Sequence, residues 1–108
     1  MLKGTIIENS LANKDILKTL EITKTWQAGS WILHSIKIDE GRVQELSDSL
    51  KNEPWYIHLW EQEKDDVMVI FKDKIFKIKF SDKNTWVEAV AYGKSLGIPA
   101  EQLDFPID

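Results

Sequence analysis

Hydrophobic positions recur along this chain at two spacings, every second residue and every third or fourth, and the switches between them mark out eight segments. Lys3 to Glu8 (KGTIIE) is rich in β-branched residues and reads as a short strand. Asn9 to Leu20 has the faintest pattern; Asn13 or Ser10 can cap a turn of helix through Ile16 and Leu17. From Leu20 the period becomes two, with Leu20, Ile22 and Trp26 on one side and Glu21, Thr23 and Thr25 on the other. QAGS at 27–30 is a turn centred on a glycine, and Trp31 to Ile38 (WILHSIKI) returns as the second arm of a hairpin.

Asp39 then offers a helix N-cap, and Val43, Leu46 and Leu50 form an apolar stripe at helical spacing. Asn52-Glu53-Pro54 ends that helix. Trp55 to Glu61 (WYIHLWE) is a strand, QEKDD is a charged turn, and Asp66 to Lys72 (DVMVIFK) runs back. Asp73 marks a tight turn into Lys74 to Phe80, where Phe76, Ile78 and Phe80 alternate with Ile75, Lys77 and Lys79. In the last helix, Thr85-x-x-Glu88 fits a capping box, and Trp86, Ala89, Val90, Gly93 and Leu96 keep helical spacing. Gly97 is placed for the left-handed position after the helix, Ile98 to fold back on its last turn, and Pro99 to prevent continuation. The tail AEQLDFPID is expected to make one more turn and pack Leu103 and Phe105 on the body.

The order βββαβββα predicts a single α+β domain over 1–108, with one mainly antiparallel sheet of about six strands. Both helices are expected on one face of it. The link from the third strand through the first helix to the fourth should be a right-handed crossover between parallel strands. WILH and WYIH share Trp-x-x-His, but they fall in different strands of their halves, so no duplication is read from them.

Composition narrows the function classes. At 43% hydrophobic and 30% charged, the chain has the balance of a folded globular domain. Without cysteine it has no disulfide, thiolate metal site or cysteine nucleophile. No apolar run approaches the roughly 20 residues of a membrane helix, and MLKGTIIENSLANK lacks the apolar core of a secretory signal, so a cytoplasmic protein with no membrane partner is expected. The net charge is −4, and of 14 basic residues only Arg42 is an arginine, the usual planar reader of phosphate and base edges. Nucleic acid is therefore not expected as a partner. Lys72, Lys74, Lys77, Lys79 and Lys83 read as the blunting of an edge strand, amid Asp65, Asp66, Asp73 and Asp82.

Candidate chemistry centres on PWYIHLW. Alternation sends Trp55, Ile57 and Leu59 to the core and Tyr56, His58 and Trp60 to the opposite face, where Trp26 or Trp31 would stand nearby. Such a row suits a partner, a second copy of the chain or a flat small-molecule ligand, and the C-terminal tail is a further candidate to cover it. In the third strand Ile32, His34, Ile36 and Ile38 share the greasier face, which makes His34 a core histidine bonded to a neighbour. His58 and Glu61 fall on opposite faces of a strand, so no metal or other cofactor is expected. There is no GxSxG, no Gly-rich phosphate loop and no HExxH.

The segments TWVEAVAYGKSLGIPAEQLDF, PWYIHLWE and VIFKDKIFKI together resemble a group of small uncharacterised bacterial proteins. The resemblance spans most of the chain and implies a compact domain, with no activity or catalytic residue to transfer. The expectation is a non-enzymatic binding or accessory protein that self-associates through Tyr56, His58, Trp60 and Trp26 or Trp31. A regulatory or toxin–antitoxin partner would fit the same features. The alternative is a small enzyme in which His58 is a general acid or base oriented by Glu61, Glu21 or Asp104.

Overall fold

The computed structural model describes residues 1–105; residues 106–108, the end of the tail, lie outside the described residues. Six strands form one sheet: β1 Leu2–Ile7, β2 Glu21–Ala28, β3 Trp31–Ile38, β4 Ile57–Trp60, β5 Asp66–Phe71 and β6 Lys74–Lys79. Helix α1 spans Val43–Ser49 and α2 spans Val87–Ser95. The strands lie in the order β2-β3-β1-β4-β5-β6, and every neighbouring pair is antiparallel. The α+β class and the order βββαβββα are as the periodicity predicts. Strands β3 and β4 both run antiparallel to β1, which lies between them, so they are parallel to one another.

The helices do not share a face, contrary to the sequence expectation. Val43, Leu46 and Leu50 of the α1 segment pack with Leu2, Ile6, Ile36, Ile38, Ile57, Leu59, Met68 and Ile70 on what we term face A. Trp86 and Ala89 of the α2 segment pack with Trp60, Val67, Val69, Phe71 and Ile78 on face B. Strand β5 is why both solutions work: its five residues Val67–Phe71 are all buried, the mark of a strand covered on both sides. With no polar face on β5, alternation could not tell which side each helix takes.

Local signals set most of the joints. Asn13 and Asp39 cap short 3-10 turns, their Oδ1 atoms accepting from Asp15 N and Gly41 N, each at 3.2 Å. The helix ending at Ser95 closes as predicted. Gly97 has φ +96°, Ile98 N donates to Gly93 O at 3.1 Å and Gly97 N to Lys94 O at 3.0 Å. The capping box at Thr85 is not made. Thr85 Oγ1 instead accepts from Lys79 N at 2.8 Å and donates to Asp82 O at 2.6 Å, tying the α2 entry to the end of β6, while Asp82 caps the turn.

Gly4 does what no turn glycine does. It sits at the seam where β1 meets β4, and a Cβ there would lie 2.5 Å from His58 O and 2.7 Å from Leu59 Cδ2. Only a residue without a side chain lets the two halves of the sheet join at this point.

Candidate functional site

Tyr56, His58 and Trp60 project together onto face B, as alternation requires. Their rings form a ladder: His58 stacks on Trp60 with centroids 5.3 Å apart, and Tyr56 lies 6.2 Å from His58. This ladder is roofed. Phe105, fully buried, meets Tyr56 edge-on at 5.6 Å, His58 at 6.0 Å and Trp86 at 5.1 Å. Tyr56 OH donates to the backbone carbonyls of Gln102 and, at 3.3 Å, Asp104. Burial first, then the nearby Asp104 carboxylate, pushes the Tyr56 phenol up to about 12. The tail is thus latched over the ring row, one of the covers expected for it from the sequence. Trp60 is buried, so its ring cannot be a contact surface in this state.

The uncovered part of face B lies beside it, on β1, β3 and β2. A cleft of about 680 Å3 runs between Ile7, Trp31 and Leu33 on one side and Trp55, Tyr56 and His58 on the other, with Thr5 in its floor. Trp31 is 43% exposed and meets Trp55 edge-to-face at 5.6 Å. Of the predicted residues, Tyr56, His58 and Trp31 therefore converge on one cleft. Trp26 stands outside it, half-buried, with Lys24 Nζ 5.3 Å over its ring. A bulge between Ile22 and Lys24 reverses the alternation of β2, so Trp26 shares face B with Leu33 while Ile22 shares face A with Ile36. Straight period-two reading had placed Ile22 and Trp26 together.

Sequence reasoning missed Thr5 and Ile7. The register Lys3↔Lys37, Thr5↔Ser35, Ile7↔Leu33 between β1 and β3 places them there, and that pairing exists only in the fold.

The other histidine behaves as expected. His34 is buried, with Nδ1 2.8 Å from Thr25 Oγ1 and Nε2 2.9 Å from Glu8 Oε1, so both ring nitrogens are engaged. Two of the carboxylates considered for orienting His58, Glu61 and Glu21, pair with lysines. Glu61 binds Lys64 at 2.8 Å and the N-terminal ammonium at 3.1 Å, and these two cations hold its carboxyl below the usual range. Glu21 lies on β2, two strands removed from β4, with Lys37 at 4.0 Å. Among the described residues no group of three His, Cys, Asp or Glu side chains converges as metal ligands, and no helix is long and apolar enough to cross a membrane.

The lysine strip lies on and around β6, an edge of the sheet. Lys79 pairs with Asp66, Lys77 with Glu40 at 3.6 Å, and Lys72 Nζ donates to Asp48 O at 2.9 Å. Its charges are spent on local partners along an edge, not gathered into a field.

Comparison with known proteins finds no matching family, no matching curated protein and no matching solved structure.

Proposed function

We propose that this protein is a non-enzymatic binding protein whose recognition site is the face-B cleft between Trp31 and Leu33 on one wall and Trp55, Tyr56 and His58 on the other. The observation that carries the reading is that cleft: a ring-lined hollow with an exposed tryptophan at its mouth, bordered by Glu53, Ile98 and Gln102. Clefts of this size with a few polar groups among apolar walls are the usual form of a small-molecule site. The test uses the uncharged fluorescent probe N-phenyl-1-naphthylamine. Saturable binding at one molecule per chain, lost in Trp31→Ala and in Leu33→Glu variants that keep the wild-type fold by circular dichroism, is expected. Absence of saturable binding to the wild-type protein would remove the reading.

Self-association belongs to a different surface. Strand β2 is the long edge of the sheet, eight residues carrying one lysine, with Ile22 37% exposed, whereas the β6 edge is lined with lysines. An open edge of that length is a template for a second copy. Sedimentation at high micromolar concentration is expected to show a dimer that Ile22→Lys returns to monomer; a monomeric wild-type protein would refute this part alone.

A further inference from the structure

We infer that the ligand of this face is an amphipathic anion, a molecule with an acidic head and an apolar body, of the long-chain carboxylate class. The inference rests on the binding reading above and adds to it the chemistry of the ligand. A second hollow of about 380 Å3, lined by Lys3, Thr5, Thr23, Ser35, Lys37 and Trp60, adjoins the cleft at Thr5, which lines both. From one hollow to the other the cross-strand pairs of β1 and β3 change character in order. Lys3 lies opposite Lys37, then Thr5 opposite Ser35, then Ile7 opposite Leu33, with Trp31 and Trp55 beyond. Four residue steps along the strand separate the cationic pair from the apolar pair, about 13 Å at the usual rise.

The cationic end is unfavourable without a guest. Two lysines directly opposite one another on an antiparallel pair repel. Their partners among the described residues are weak ones: Glu21 at 4.0 Å from Lys37, and the Trp60 ring at 5.9 Å from Lys3 Nζ. Trp60 also borders this hollow. Two opposed cations make this hollow a place for an oxyanion. The uncharged row of hydroxyls and the apolar row then read the rest of the molecule.

The probe is dodecanoate, kept below its micellar concentration and measured by displacement of bound N-phenyl-1-naphthylamine. Dodecanol supplies the same body without the charge, and acetate the charge without the body. Dodecanoate is expected to displace the dye at one per chain, with dodecanol weaker and acetate without effect. Lys3→Gln/Lys37→Gln should keep the dye and weaken dodecanoate about five- to tenfold, as two solvated ion pairs allow. Without ligand that variant should melt no lower than wild type, since it relieves the repulsion.

Equal displacement by dodecanol, or an unchanged dodecanoate affinity in the double variant, would overturn the anionic head. Displacement by acetate as strong as by dodecanoate would overturn the apolar body. In either case dye binding still stands, and with it the site. Loss of dye binding in the wild-type protein would instead remove the site itself.

Discussion

Face B has two halves built from similar residues and finished in opposite ways. Over β4, β5 and β6 a row of rings is sealed by Trp86 of the α2 entry and by Phe105 of the tail. Over β1, β3 and β2 the residues Trp31, Leu33 and Ile7 meet no covering helix among the described residues and form the wall of a cleft. Ring content alone does not distinguish them. What differs is reach: the chain leaves β6, the far edge, and returns over the strands next to it. The covered half therefore belongs to stability and the open half to recognition, with Tyr56 and His58 on the boundary.

Removing the roof should have the largest effect. Phe105→Ala takes a fully buried ring from contact with three aromatic neighbours and should cost about 3–5 kcal/mol in urea unfolding. A loss below about 1 kcal/mol would mean that the tail merely rests on the ladder. The seam comes next. Gly4→Ala drives a methyl into His58 O and Leu59 and should cost about 1–3 kcal/mol, with disorder spreading to both halves in amide exchange spectra.

The latch at the boundary is pH-sensitive. The Tyr56 phenol ionises near about 12 in the fold, against about 10 when unfolded. Its raised value means that the unfolded chain loses the proton first. The contribution is therefore whole below pH ~10 and fades as the pH climbs toward ~12. Stability measured from pH 9 upward should fall more steeply for wild type than for Tyr56→Phe; parallel curves would contradict the buried hydroxyl. Smallest of all, Trp31→Ala should cost about 1 kcal/mol or less, because its ring is exposed and meets Trp55 at one edge. That contrast with Phe105 is the sharpest check on the division: one ring carries stability, the other carries binding.

Much of this was legible in the chain. The Gly97–Ile98–Pro99 helix stop, the packing of Leu103 and Phe105, the core role of His34 and the separation of Ile57 and Leu59 from His58 and Trp60 all follow from short-range chemistry, whereas Trp55 lines the same cleft as Tyr56 and His58. The errors share one cause. The bulge in β2 adds a residue without changing the local hydrophobic pattern, so the face of Trp26 could not be read from spacing. Thr85 had a satisfactory local role as a cap, yet the end of β6 offered it a better-placed partner.

By itself the sequence determined the elements, their order and, outside the bulged β2, which residues share a side of each strand, because φ/ψ preference and side-chain alternation act over a few residues. The tertiary structure decided three other things: that the helices lie on opposite faces, that β1 inserts between β3 and β4, and that the tail closes over one half of face B. Each is a choice between chain paths that satisfy the same local pattern. It is settled by which apolar surfaces remain to be buried once the sheet has formed, and that surface exists only in the assembled fold.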